Sequence, residues 1–240
     1  MQNNKTVKIR ILSGCVMVVL VSIIACVYFF TDNTAVLVDN IQNQPIYNGS
    51  KQSNKVALMF NCYENEECVY KIADCLKEYG FNATFFMGGC FADDNTELIK
   101  YLVEAGNEVG NHGYFHKDHS KLDYDGNFRE IKNTHELILA QVGINMELFA
   151  PPSGAFSKNT LAVCEKLQYK VILWSIDTVD WRDKNEKIVY NRATKNIAGG
   201  DFVLMHPKEH TLKVLPEILN YYVERGLSVS TVTQCLESDG

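Results

Sequence analysis

A chain of 240 residues with 46% apolar side chains, 22% charged ones and a formal charge of −6 is long enough to bury one core of ordinary size and to carry an appendage. Its acidic balance argues against nucleic acid or an anionic polymer as partner. Removing residues 1–30 takes away three basic residues and no acidic ones, so the remainder carries −9.

The appendage comes first. Residues 1–10 form a basic tail with Lys5, Lys8 and Arg10, and residues 11–30 carry no charge at all, about the twenty positions that a bilayer core requires of a helix. Basic residues before the apolar run and Asp32 after it predict a cytoplasmic tail, a membrane span or signal anchor over 11–30, and a domain on the extracytoplasmic side. Two competing readings reach the same compartment: Ile23, Ile24, Ala25 and Cys26 look like a bacterial lipoprotein processing box, and a cleaved signal peptide would release a secreted protein. Residues 31–54, rich in Asn, Gln and Ser with little periodicity, read as a flexible linker.

From residue 55 to 240 the pattern changes to strands alternating with helices. Residues 56–61 read as strand, 67–79 as helix ending before Gly80, 83–87 as strand and 96–105 as helix ending at Gly106. A strand near Glu108, a helix over 127–141, a strand into Phe149 and a helix over 157–167 follow. Strand 170–175, helix 186–196, strand 202–206, helix 212–224 and a last strand near Ser228 complete the series. Repeated strand–helix units imply a parallel sheet with helices outside. Cys62, Cys68, Cys75, Cys90, Cys164 and Cys235 show no framework spacing, and a domain of this size needs no staples. Free thiols are expected, with Cys75 and Cys164 inside helices.

Several motifs sit where such a fold puts its chemistry. His112 and His116 lie four apart just past a predicted strand end, a spacing at which two imidazoles reach one ion. His206 stands at the tip of the buried run 202–206, and parallel α/β folds work at the C-terminal ends of their strands. Between them lie Phe149-Ala-Pro-Pro-Ser-Gly154 and Trp174-Ser-Ile-Asp-Thr-Val-Asp-Trp181. In this order, together with residues 55–60, 76–86 and 211–216, the segments resemble the polysaccharide deacetylase family, also called NodB-homology domains or carbohydrate esterase family 4. The resemblance covers roughly residues 55–236.

The resemblance implies a distorted, incomplete (β/α)7 barrel of the polysaccharide deacetylase type, acting as a monomer on an N-acetylated glycan, peptidoglycan or chitin-like. It implies hydrolysis assisted by a divalent metal, zinc with cobalt or nickel as alternatives, that polarises the acetyl carbonyl and acidifies a water. By position, His112 and His116 match metal ligands and His206 the general acid. Asp177 matches the carboxylate that orients His206, and Trp181 and Leu204 match pocket walls. Pro152 shapes the turn at the rim, and Tyr114, with Phe115, Trp174 and Trp181, is a candidate for an aromatic groove. His119, His135 and His210 are expected in exposed or capping roles.

The departures from the family pattern are as informative. Its first motif is usually Thr-Phe-Asp-Asp-Gly, where this chain has Met59-Phe60-Asn61-Cys62-Tyr63. Asn61 therefore stands at the position of the catalytic base and Cys62 at that of the third metal ligand, and a neutral amide cannot take a proton from water. Ala150 replaces an arginine that contacts the base in the family, so both halves of an ion pair are gone together. Three readings remain open: a hydrolase whose site is rebuilt with a Cys62 thiolate and a base such as Glu64, Glu66 or Glu67; a glycan-binding pseudoenzyme; and a hydrolase of a different substrate. Acidic residues ahead of a helix also have a plain structural use against its dipole.

Overall fold

The computed structural model describes residues 21–22 and 44–237. The basic tail, the apolar segment apart from Val21 and Ser22, and residues 31–43 of the expected linker lie outside the described residues. Among the described residues no helix is long and apolar enough to cross a membrane.

The first long strand, β1 (Lys55–Cys62), is buried along nearly its whole length, as a strand with helices on one side and a packed interior on the other must be. It pairs in parallel with β2 (Thr84–Met87), β7 (Phe202–Met205) and β8 (Ser228–Ser230). Outward from β2 come β3 (Glu108–Asn111), β4 (Leu148–Phe149) and β5 (Lys170–Val171), and outward from β7 comes β6 (Ile176–Asp177). The order β5-β4-β3-β2-β1-β7-β6 puts two strands that are neighbours in sequence at opposite ends of the sheet. The barrel is therefore unclosed, in agreement with the expected architecture.

Side-chain alternation sorts β1 into two faces. Ala57 and Met59 join Phe86, Leu148, Ala150, Ile172, Phe202 and Leu204 in the interior core, while the residues of opposite parity face the surrounding helices. The helix Glu66–Glu78 covers that outer face with Cys68, Val69, Ile72, Ala73 and Leu76, a one-sided stripe at helical spacing. Asn65 caps it by accepting from the Cys68 N–H, and Glu66 and Glu67 occupy its first turn, where the dipole favours them.

Residues 44–54 belong to the folded unit and are not a free tether. The Ile46 N–H donates to the Val171 carbonyl and the Leu173 N–H to the Ile46 carbonyl, both at 2.8 Å, and Gly49 N–H donates to the Gly200 carbonyl. This strap meets the open edge at β5 through Ile46 and the segment ahead of β7, residues 199–201, through Asn48, Gly49 and Lys51. Gly200, at φ 82°, and Gly49 allow the backbones to approach, since a Cβ on Gly49 would meet the Cys235 carbonyl oxygen at 2.4 Å. Among the described residues Cys62, Cys68, Cys75, Cys90 and Cys164 are free thiols, as expected.

Candidate active site

The C-terminal ends of the parallel strands converge on a cavity of about 260 Å³ lined by Asn61 from β1 and Tyr63 just after it, His116 after β3, Ser153 after β4, Trp174, Asp177 and Trp181 around β6, and Leu204 from β7 with His206 just after it. Of the residues anticipated as substrate-binding, Trp181 and Leu204 line it. Trp181 is 51% exposed, with the Arg182 guanidinium 5.9 Å from its ring centre, so its apolar face is available at the cavity mouth. Pro152 is buried one residue before Ser153, in a short 3-10 turn. Tyr114 is absent from the lining: its ring packs over Gly89, where a Cβ would meet it at 2.3 Å, and against Phe115.

His206 is held tightly, by a different carboxylate from the one anticipated. Asp180, fully buried, receives His206 Nδ1 and the His206 backbone N–H, both at 2.7 Å, and the Thr211 hydroxyl at 2.7 Å. Asp177 accepts instead from the Val179 N–H at 2.7 Å and faces the cavity. The expectation for Asp177 is corrected in favour of Asp180. Both aspartates precede Trp181 in the same motif, and Val179, at φ 52°, turns the chain so that the second one points inward.

His112 is fully buried, and its Nδ1 donates to the Ala150 carbonyl at 2.7 Å, which leaves Nε2 as a buried lone pair with no partner. Burial, with His116 and His206 nearby, drags the His112 pKa down to about 3, and burial lowers His116 as well. His116 sits at φ 54° in a loop gripped by Glu130, whose Oε2 accepts from the N–H groups of Tyr114 (2.9 Å) and Phe115 (2.7 Å). Lys117 completes that contact at 3.1 Å. Glu130 escaped notice in the sequence. The available signal was an acidic residue on the buried stripe of the helix Tyr124–Val142, beside Asn127, Ile131, Thr134 and Ile138. His119, expected in an exposed or capping role, is instead buried, with Nδ1 against Asn127 Oδ1 at 2.7 Å and its ring 5.0 Å from Phe149.

The anticipated metal centre does not assemble. Among the described residues no three His, Cys, Asp or Glu side chains come together as a group able to hold a metal ion. Cys62 has the parity of the outer face: its thiol contacts the Phe60 carbonyl, and burial, with Cys68 close by, pushes its pKa well up, which disfavours the thiolate a metal requires. Asn61, of inner parity, points into the cavity with Oδ1 buried and unpaired. The acidic loop offers no base. Glu64 pairs with Lys208 on the surface, Glu67 pairs with Lys71 across one helical turn, and Glu66 is exposed in the first turn of its helix. His112 and His116 thus fit half of such a centre, and the set as a whole does not fit it.

The family model described as polysaccharide deacetylase matches residues 48–172. An uncharacterized protein of Bacillus subtilis, YlxY, is 30% identical over 203 residues, 85% of this chain and 64% of its own length. A peptidoglycan-N-acetylglucosamine deacetylase of Bacillus cereus is 29% identical over 160 residues, 67% of this chain and 58% of its own. The chain therefore spans about three fifths of the length of these curated relatives. Among solved structures, a carbohydrate esterase family 4 pseudoenzyme of Bacillus anthracis superposes with a TM-score of 0.79 at 31% identity, covering 81% of this chain and 69% of the other. A mutant of that pseudoenzyme with restored enzymatic activity gives the same TM-score, 0.79, at 30% identity over 81% and 72% of the two chains. With a family match across more than half of its residues and the same unclosed parallel barrel, the chain belongs to the polysaccharide deacetylase family.

Proposed function

We propose that this chain binds N-acetylated cell-wall glycan without hydrolysing it, as a membrane-held extracytoplasmic member of its family. The observation that carries the reading is Asn61. Its amide reaches into the cavity at the position of the base, and an amide is neutral across the working pH range and takes no proton from water. The surroundings repeat the theme, with Ala150 in place of the partnering arginine and Cys62 turned to the outer face. The kinship with a protein described as a pseudoenzyme supports the same conclusion. The uncharged segment 11–30 behind Lys5, Lys8 and Arg10 supports the membrane attachment.

The groove retains what recognition needs. Trp181 offers an exposed aromatic face beside a cavity walled by Trp174 and Leu204, and Asp177, Ser153 and the Asn61 amide supply hydrogen-bonding groups. At about 260 Å³ the cavity is just below the usual range of ligand pockets, about 300–1,000 Å³, so one sugar unit would be held and its neighbours would lie along the rim.

Binding of N-acetylglucosamine oligomers to the full-length protein tests the proposal. Trp181→Ala is expected to weaken binding about 30-fold, the equivalent of ~2 kcal/mol for an aromatic anchor that the bound sugar covers, with no acetate released by either protein. An unchanged affinity would remove Trp181 from the binding face. One observation favours the hydrolytic reading, namely the His206–Asp180 hydrogen bond, which fixes an imidazole, the commonest general acid–base group, in the cavity wall. Acetate release that disappears in His206→Ala would carry that reading instead.

A further inference from the structure

The space in front of the two chelating histidines is taken by a side chain of the protein itself. Tyr63 stands at the glycine position of the family's first motif. Its ring centre lies 4.4 Å from that of His116 and 6.4 Å from those of both His112 and His206. The two histidines remain set for an ion. Their ring centres are 5.1 Å apart, and two imidazoles sharing one tetrahedral ion at about 2.0–2.1 Å from each nitrogen would have centres about 5 Å apart. His112 Nε2 is buried without a partner. Besides a third protein ligand, access is missing, because the Tyr63 ring lies against both histidines on the cavity side, from which a water or carbonyl oxygen would approach such an ion.

Several contacts hold that ring in place. Tyr63 packs its Cβ over Gly88, where an added Cβ would come within 3.4 Å of it. The next residue, Glu64, is paired with Lys208, and Asn65 donates to the Pro207 carbonyl at 3.1 Å. The loop after β1 is thereby fastened to the loop after β7, which carries His206.

We propose that Tyr63 caps a latent two-histidine metal site, keeping His112 and His116 metal-free by filling the side from which the remaining ligands would enter. The effect belongs to the ring's volume and not to its hydroxyl group, so Tyr63→Phe preserves the exclusion and Tyr63→Gly lifts it. This inference concerns metal affinity alone and stands whether or not the groove takes sugar.

The test is calorimetric titration of the full-length protein with zinc chloride, together with the visible spectrum of added cobalt. Wild type and Tyr63→Phe are expected to bind no zinc tighter than about 0.1 mM. Tyr63→Gly is expected to gain at least about tenfold in affinity, with cobalt bands of nitrogen ligation, and to lose both when His112→Ala is added. Tyr63→Ser serves as a second opening variant where glycine frays the end of β1. The proposal is overturned by wild type binding as tightly as the opened variants, by Tyr63→Phe gaining as much as they do, by a gain that survives His112→Ala through one of the free thiols, or by no gain in either opened variant.

Discussion

Asp180→Ala is expected to cost about 3–5 kcal/mol of stability, because one buried carboxylate is the acceptor for three donors and each buried donor left unpaired costs about 1–3 kcal/mol. The carboxylate is fully buried and accepts from three donors, His206 Nδ1, the His206 N–H and the Thr211 hydroxyl. Each of those donors loses its partner in a region that water reaches poorly. In a domain of this size each kcal/mol moves the midpoint of thermal unfolding by about 2–4 °C, so a fall of roughly 6–20 °C is expected by calorimetry. The same substitution at Asp177, which is half-buried at the cavity and ties down only the Val179 N–H, should cost no more than about 1 kcal/mol. Equal effects at the two positions would refute the assignment of Asp180 as the partner of His206.

Stability is expected to fall on mild acidification. His112 has a folded pKa of about 3 because burial penalises its charged form, whereas an unfolded histidine titrates near ~6.5. A depressed histidine pKa means that between these values the unfolded chain takes up a proton that the folded chain refuses. The contribution is therefore fully present above about pH 6.5 and is lost at up to ~1.4 kcal/mol per pH unit as the pH falls towards about 3. Burial shifts His116 and His119 in the same direction, so they steepen the loss. Urea unfolding at about pH 7.5 and about pH 5 should show a clear drop in midpoint, and His112→Gln should flatten it. A protein equally stable at both values would contradict a buried, neutral His112 that donates to the Ala150 carbonyl.

Much of this architecture was legible in the chain because its periodicities are strong. The run 202–206 could only be a buried strand, and the helix Glu66–Glu78 shows both its apolar stripe and its capping signals. The site was harder to read for identifiable reasons. Alternation along β1 places Asn61 and Cys62 on opposite faces, a consequence readable in advance that the family pattern obscured by treating the two positions as a pair. Choosing between Asp177 and Asp180 required the left-handed turn at Val179, which no side chain there announces, since β-branched residues rarely adopt it. His119 looked like a loop residue because its partner, Asn127, lies in the following helix. Residues 44–54 carry too little periodicity to reveal that they dock, Ile46 on the β5 edge and Asn48 to Lys51 on residues 200–201.

The position of β1 in the sheet has a consequence for how the domain comes to exist. The described sheet is built around this strand, yet two of its three neighbours, β7 and β8, are supplied by residues 202–205 and 228–230. The contacts that complete the centre thus join segments separated by nearly the whole length of the domain. Loop-closure entropy must be overcome before those pairings stabilise anything, which slows folding. A nascent chain that has emerged only as far as β6 holds an apolar strand with one side unpaired. Its hydrophobic interior stays accessible to other chains until residues 202–230 arrive, and the hazard of aggregation is concentrated in that interval.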